Sequence, residues 1–329
     1  MTVTMAALAE PFRQIPFPRV VDLRDFRARS LERVLGAEER EWSETLDWDF
    51  SKSGELVRKF VNQGSLHGAV LVTGGGVQGY AYYVFEDGKG LIGDLYVHPE
   101  YRTGAHEALL MQAVLDQMAA MGNVPRVEAQ LMMLGTEMEK PARHWSEYQV
   151  FRRAYLGLRL PTAQPMEERE LPPDMVLRSW TALDQEQAAH LIPITYAGHT
   201  DSLINDQYRD VAGARKFLHN IVQFPGCGVF EAAASVAAYD RRSGKMCGMV
   251  LSSIVGEGSG HITQLCVHPD YQRLGLGHEL LRHALVLLER AGCHTASLTV
   301  TVENRTARML YERLGFRVMR KFAAYVWEP

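Results

Sequence analysis

The residues best suited to chemistry lie in one segment, from Leu265 to Gly277. Leu265, Cys266 and Val267 alternate as in a strand, and Pro269 ends that strand because proline has no N–H group to donate. Apolar residues at helical spacing follow Gly277, so a helix begins at the glycines with several N–H groups unpaired. Such a helix start attracts phosphate, and glycine lets a pyrophosphate approach the backbone. The sequence therefore predicts an anion-binding cradle formed by Gln272, Arg273, Leu274, Gly275, Leu276 and Gly277.

A second chemical segment follows a β-branched strand at 298–302. Asn304 suits the N-cap of a helix, and Gly315 suits its end. Between them, Tyr311 shares one helical face with three apolar residues, namely Ala307, Leu310 and Leu314. The spacing predicts a short helix that presents a phenol to the sheet.

Together the two segments resemble the GNAT superfamily of acyl-CoA-dependent N-acyltransferases. The strand and its Gln-x-x-Gly-x-Gly loop at 265–277 resemble one family signature, and the Asn-x-x-Ala-x-x-Leu-Tyr-x-x-x-Gly-Phe helix at 304–316 resembles the next one. The resemblance implies acetyl-CoA as donor, held by the 265–267 strand, the cradle and Asn304. It implies direct attack of an amine on the thioester in a ternary complex.

Two catalytic roles follow from the resemblance. Tyr311 is the expected general acid, because a phenol with a reference pKa of about 10 is protonated at neutral pH and can donate to a thiolate. The alternative is that Tyr311 only packs on the sheet. His261 stands six residues before Val267, where histone-acetylating members carry a glutamate, and is the candidate base. The alternatives are a surface histidine and a base that acts through a chain of water molecules.

The acceptor amine is expected to bind near the first helices of the second half. Asp201, Asn205 and Tyr208 would share one helical face and could bind a cationic or polar amine. The alternative is that one residue of 200–202 caps a helix while the others face solvent. The histidines show no metal-ligand spacing, so no metal site is predicted.

An internal repeat relates the two halves. Leu95-Tyr96-Val97-His98-Pro99 recurs as Leu265-Cys266-Val267-His268-Pro269, and flanking segments repeat at nearly the same offset of about 170 residues. The first copy is degenerate, because it lacks two loop residues at Arg102–Ala105 and has no tyrosine helix at 134–141. Its predicted role is to support the second copy, and the alternative is a weak regulatory CoA site.

The predicted fold is therefore α/β, with an α+β mixed sheet in each of two tandem GNAT domains. The predicted ranges are 1–160 for the degenerate domain, 161–173 for a proline-rich linker and 174–329 for the catalytic domain. Tyr155 to Leu160 is expected to close the first sheet. Within the second domain the patterns predict helices at 183–198, at 209–223 and to about 291, and strands at 232–240, 246–255, 260–267 and 295–302, with two closing strands ending at Trp327.

Composition limits the remaining classes. The 329 residues are 47% hydrophobic and carry a net charge of −4, which gives no basic face for nucleic acid. Four cysteines at irregular spacing, Cys227, Cys247, Cys266 and Cys293, are expected to be buried thiols in a reducing compartment. Residues 1–11 lack a signal-peptide pattern, and no apolar run approaches the ~18 residues of a membrane span. These features predict a cytoplasmic protein without membrane partners, as a monomer or homodimer.

The functional prediction is an N-acetyltransferase that moves an acetyl group from acetyl-CoA to a primary amine of a small molecule. The tandem organisation resembles that of the mycothiol synthases, but no acceptor-pocket residue specifies that substrate. Two alternatives remain open at this point: a non-catalytic acyl-CoA sensor, and a protein or peptide amine acetyltransferase.

Overall fold

The computed structural model describes residues 17–122, 124–135, 147–223 and 226–328. The elements of the first part are β1 (Arg19–Asp22), α1 (Ala28–Leu46), α2 (Ser51–Gln63), β2 (His67–Thr73), β3 (Gly76–Glu86), β4 (Lys89–Val97), α3 (Gly104–Met121) and β5 (Val127–Leu131). They are followed by β6 (Glu147–Arg159), β7 (Met175–Ser179), α4 (Gln185–Tyr196), α5 (Asp201–Ile204), α6 (Val211–Gln223), β8 (Val229–Phe230), β9 (Val236–Asp240), β10 (Met246–Gly256), β11 (Ser259–Val267), α7 (Leu276–Arg290), β12 (Thr295–Thr301), α8 (Arg305–Arg313) and β13 (Arg317–Glu328).

The chain forms two compact units, and neither is one continuous stretch. Unit 1 comprises residues 1–42, 50–150 and 322–329, and unit 2 comprises 43–49 and 151–321. The predicted ranges 1–160 and 174–329 therefore describe most of each unit, but not the short segments that belong to the other one.

Unit 1 is a mixed sheet backed by a helix. Its strand order is β1-β2-β3-β4-β5-β13, with all neighbours antiparallel except the parallel pair β4 and β5. The apolar face of α3 packs on this sheet through buried residues one helical turn apart, such as Leu110, Val114 and Met118.

Unit 2 repeats that plan. Its strand order is β6-β12-β11-β10-β9-β7, and β8 pairs with β10. Only β11 and β12 are parallel. Residues of α7 and α8 pack on one face of the sheet, and residues of α4 and α6 pack on the other. The mixed α/β fold predicted from the sequence is confirmed.

Two local irregularities recur in both units and mark the repeat in the backbone. The ladder between β3 and β4 skips Gly93, and the ladder between β10 and β11 skips Thr263, so each strand carries a β-bulge at the equivalent position. A histidine then caps a single turn in each copy, with His98 Nδ1 accepting from Glu100 N–H and His268 Nδ1 accepting from Asp270 N–H. The two copies therefore share geometry where their sequences have diverged.

Three details differ from the sequence predictions. The strand expected to close the first sheet belongs instead to β6, whose residues 153–159 pair with β12 in unit 2. Only one strand, β13, follows α8, not two. A strand pattern shows which residues alternate but not which strand they pair with, and this explains the first of these differences. Cys227 is exposed, unlike the other three cysteines, because it follows α6 in a surface turn.

Unit 1 buries a pair of carboxyl groups. Glu38 on α1 and Asp94 on β4 are both buried, and the Tyr80 hydroxyl donates to Glu38 Oε2 at 2.7 Å. Burial raises the pKa of Glu38 well above its ordinary value, and the neighbouring Asp94 raises it further. Burial also raises the pKa of Asp94. The pair therefore holds a proton at pH values where exposed carboxyl groups have lost theirs.

This proton predicts how the stability of unit 1 depends on pH. A carboxyl group with a raised folded-state pKa stabilises fully below its unfolded pKa, near 4, and that stability is lost as pH rises toward the folded value. We expect the melting temperature of the wild type to fall between pH 5 and pH 8, and that of Glu38→Gln to fall less. The stability of Glu38→Gln relative to the wild type should therefore be about 1–2 kcal/mol more favourable at pH 8 than at pH 5. Calorimetric melting at both pH values tests this, with exposed Glu55→Gln as control, and parallel curves for wild type and Glu38→Gln would contradict it.

Candidate active site

The site in unit 2 begins where two parallel strands part. β11 and β12 pair from Ser259 with Thr295 to Ile262 with Leu298, and the described pairing ends there. Beyond that point β11 remains paired only with β10, as far as Val267, while β12 remains paired only with β6, as far as Thr301. Their carboxyl ends therefore border a gap in which backbone groups of both strands face each other without a ladder.

The bulge at Thr263 decides which side chains face which helices. Leu265 and Val267 pack against α7, whereas Cys266 packs with α4 and α6 on the opposite face. Gln264 points the same way as Cys266, because its amide donates to the Tyr196 hydroxyl at 2.9 Å. Burial raises the pKa of Cys266 to about 12, so its thiol stays protonated and is no nucleophile at neutral pH.

The loop predicted to be the anion cradle contains two left-handed residues. Arg273 has φ 64° and Gly275 has φ 83°, and Gly275 is the N-cap of α7. Where left-handed and right-handed residues alternate, successive N–H groups point toward one place. In addition, the first N–H groups of a helix have no intrahelical partner. The Gln272 side chain donates back to Val267 O at 3.2 Å and ties the loop to β11. This geometry fits a pyrophosphate.

The two glycines of the loop have different roles. Gly275 has a left-handed backbone conformation, which residues other than glycine rarely adopt. A Cβ atom on Gly277 would lie 3.6 Å from Val267 Cγ2 and 3.8 Å from Leu310 Cδ2, which is ordinary contact. Gly277 therefore lies where α7 packs closely on β11 and α8.

The tyrosine helix places its phenol beside charged groups. Tyr311 is 8% exposed and meets Phe316 edge-on at 6.0 Å between ring centroids. Burial raises the pKa of Tyr311, the Asp201 carboxylate raises it further, and Arg153 lowers it. Asn304 caps α8 by accepting from Ala307 N–H at 3.1 Å, and its Nδ2 lies 3.2 Å from His199 Nε2.

Of the three predicted acceptor residues, the structure brings two into this cluster. Tyr208 stacks on Tyr196, with centroids 4.5 Å apart, and its hydroxyl lies 3.4 Å from Gln264 Oε1. Asp201 accepts a hydrogen bond from Thr301 at the end of β12. Asn205 instead caps the next turn by accepting from Gln207 N–H at 3.0 Å. The sequence alternative placed the cap at 200–202, where Thr200 makes no side-chain capping hydrogen bond.

Arg153 was missed by the sequence analysis. It lies on β6 opposite Thr301, and its Nη1 is 4.0 Å from Asp201 Oδ1. The strand predicted from the sequence begins at Tyr155 and closes the first domain, so no signal in the residues links Arg153 to the site. In the structure β6 begins at Glu147 and pairs with β12.

His261 lies at the closed end of the strands, away from this cluster. It pairs with Ser297 in the ladder, and its Nδ1 is 2.9 Å from Ser297 Oγ. Trp48 and Tyr155 flank its ring, at 5.0 Å and 6.0 Å between centroids. Burial lowers its pKa to about 3, so the ring is neutral at physiological pH. The structure thus places the predicted base in an aromatic core and brings it to neither Tyr311 nor Asp201.

The equivalent region of unit 1 is filled by its own side chains. Thr103 caps α3 by accepting from His106 N–H at 3.2 Å, so one donor of the helix start is already satisfied. Arg102 forms two hydrogen bonds to Glu41, at 2.8 and 2.6 Å, and Tyr96 donates to the same carboxylate at 2.9 Å. No left-handed residue occurs between His98 and Thr103. The first copy therefore lacks the features that form the cradle in the second.

A groove of about 1100 Å³ in unit 2 lies at the opposite ends of the strands, beside Ser259 and Thr295, and is lined by neither Tyr311, Asp201 nor the loop at 272–277. No described group of three His, Cys, Asp or Glu residues is arranged to hold a metal ion. Likewise, none of the described helices is both long and apolar enough to cross a membrane.

Comparison with known proteins agrees with this geometry. A model of the acetyltransferase (GNAT) family matches residues 202–316. Residues 202–316 thus form a GNAT acetyltransferase domain. A mycothiol acetyltransferase of Saccharopolyspora erythraea is 26% identical over 77% of this chain and 82% of its own length.

Solved structures extend the likeness to both units. A GCN5-related N-acetyltransferase from Sphaerobacter thermophilus covers 96% of this chain and 97% of its own, with a TM-score of 0.65 and 19% identity. A tandem GNAT protein from the clavulanic acid biosynthesis pathway covers 95% and 98%, with a TM-score of 0.58 and 15% identity. The family match over residues 202–316 and the fold likeness over both units together support a tandem GNAT acetyltransferase with an acyl-CoA donor.

The cradle geometry predicts how two glycine substitutions differ. Gly275→Ala forces a side chain into left-handed backbone and should weaken acetyl-CoA binding about 10-fold or more, because the N–H groups turn away from the phosphates. Gly277→Ala adds only ordinary contacts and should change the dissociation constant less than about 3-fold. Calorimetric titration with acetyl-CoA should give one site per chain. Equal losses in both variants, or two sites, would contradict this assignment.

Proposed function

We propose that unit 2 transfers an acetyl group from acetyl-CoA to a primary amine of a small molecule by direct attack in a ternary complex. The observation that carries the proposal is the gap between β11 and β12, because it opens between the anion cradle and the Tyr311–Asp201 cluster. Relatives named mycothiol acetyltransferase support a small-molecule acceptor over a protein. Acetyl-CoA supplies the thioester, whose C–S bond breaks as the C–N bond forms.

The residues divide the work of positioning and proton transfer. The N–H groups of the cradle bind the pyrophosphate, and the unpaired edge of β11 at 263–267 holds the pantetheine arm by backbone hydrogen bonds. A rigid backbone N–H there also stabilises negative charge on the thioester oxygen. Asp201 accepts a proton from the attacking amine, and Tyr311 donates one to the leaving thiolate. If the acceptor enters as an ammonium ion, its second proton is released to solvent.

Electrostatics couple the two proton transfers. The negative charge of Asp201 raises the pKa of Tyr311. Once Asp201 has taken up the amine proton, that charge is gone and the phenol becomes a stronger acid. The donor is therefore strengthened at the step in which the thiolate leaves. Thr301 donates a hydrogen bond to Asp201, and Arg153 Nη1 lies 4.0 Å from the same oxygen.

Removal of the phenol tests the role of Tyr311. Tyr311→Phe should lower kcat by about 10²- to 10⁴-fold, because general acid catalysis contributes that much. The dissociation constant of acetyl-CoA should stay within about 3-fold, since Phe keeps the packing on Phe316. Steady-state release of CoA and calorimetric titration measure the two quantities. Tyr83→Phe in unit 1 serves as the matched control, and unchanged kcat in Tyr311→Phe would remove the acid from the mechanism.

The choice of Asp201 over His261 has its own test. Because the pKa of His261 is lowered to about 3, its ring does not titrate between pH 5 and pH 9. His261→Gln should leave the shape of the kcat/KM profile unchanged over that range, and Asp201→Asn should lower kcat/KM about 100-fold or more. Initial rates across pH 5–9, with melting curves for both variants, make the measurement. If His261→Gln, but not Asp201→Asn, lost the acidic limb of the kcat/KM profile against pH, the histidine would be the base.

A further inference from the structure

Arg153 is a buried cation whose hydrogen-bonding capacity is largely unused. Its side chain is 11% exposed, and its Nε is buried without a hydrogen-bond partner among the described residues. The hydrogen bond recorded for its guanidinium runs from Nη2 to Thr299 Oγ1 and is long, at 3.4 Å. A guanidinium has five N–H donors, and a buried charge without partners costs free energy. Such a group fits an anion that the fold itself does not supply.

The nearest carboxylate does not fill that need. Asp201 Oδ1 lies 4.0 Å from Arg153 Nη1, beyond hydrogen-bond distance, and the same oxygen accepts from the Thr301 hydroxyl. The two charges therefore lie side by side at the end of β12, and His199 Nδ1 lies 3.7 Å from the other carboxylate oxygen of Asp201. The side chains of Arg153 and Tyr155 alternate with Ala154, which packs on the α7 side, so Arg153 faces the side of α4 and α6.

We propose that the acceptor is a small amine carrying a carboxylate next to its amino group, as in an α-amino acid. Arg153 binds the carboxylate in the fork geometry that guanidinium groups favour, and Asp201 binds the neighbouring ammonium and takes its proton. A phosphate dianion fits less well, because Asp201 would repel its second charge. The inference rests on the proposed function and adds the class of acceptor to it.

The experiment compares each amino acid with its own amide. Initial rates of CoA release are measured with acetyl-CoA and the twenty L-amino acids, each beside the corresponding amino acid amide, which keeps the amine and removes the negative charge. For the best acceptor, kcat/KM for the acid should exceed that for the amide by roughly 10- to 100-fold, the range expected for a hydrogen-bonded charge pair.

Variants assign that preference to one residue. Arg153→Gln should reduce the preference for the acid to less than about 3-fold, because kcat/KM for the acid falls much more than kcat/KM for the amide, and Arg153→Lys should keep part of the preference. Exposed Arg159, at the other end of β6, offers the matched control, and Arg159→Gln should behave as the wild type. Calorimetric titration should show the same acetyl-CoA affinity in all three variants.

The outcomes separate this inference from the proposed function. Equal use of acid and amide by the wild type, or a proportional loss on both in Arg153→Gln, overturns the carboxylate site. If the amides are acetylated and Tyr311→Phe abolishes the reaction, the proposed transfer to small amines stands without the carboxylate site. If acetyl-CoA binds but neither acids nor amides are acetylated, both proposals fall.

Discussion

The separation of β11 from β12 is the constraint on which the rest of unit 2 depends. Parallel strands pair only while their twist keeps them in register, and here the described pairing ends after four residues, at Ile262 and Leu298. The bulge at Thr263 accompanies that end. It leaves Leu265 and Val267 on the α7 face while Gln264 and Cys266 meet the helices of the other face. The extra backbone residue thus coincides with the gap. Beyond it, β11 has an apolar face toward α7 and a hydrogen-bonding face toward α4.

The first copy shows that this backbone device is not sufficient for a site. Unit 1 keeps the bulge at Gly93 and the capped turn at His98. Yet Asp94, at the position equivalent to Gln264, is buried with Glu38, and the Arg102–Glu41 pair occupies the region of the loop. There Arg102 and Glu41 pair with each other, whereas in unit 2 Arg153 keeps unused donors. The two units therefore differ in whether the arginine is paired within the fold.

Local patterns predicted what depends on neighbouring residues in the chain. The glycine-bearing turn before α7, the cap at Asn304 and the mixed α/β fold follow from spacing and turn chemistry, and the structure has all three. Partners that are distant in sequence could not be predicted in that way. The position of β6 beside β12 decides that Arg153 reaches the site, and the pairing of His261 with Ser297 decides that the imidazole is buried. Alternation within a strand carries no information about which edge it will join.

The polar cluster also explains why acid and base in this site are better understood as one unit than as two residues. Asp201 and Arg153 shift the pKa of Tyr311 in opposite directions, so any change in the charge of either alters the acidity of the phenol. A ligand that neutralises Arg153 removes the effect by which Arg153 lowers the pKa of Tyr311. Proton uptake by Asp201 removes the effect by which Asp201 raises that pKa. With an acceptor that carries both charges, the phenol keeps a weak acidity until the amine gives up its proton. In the proposed site, proton donation to the leaving thiolate therefore follows proton uptake by Asp201.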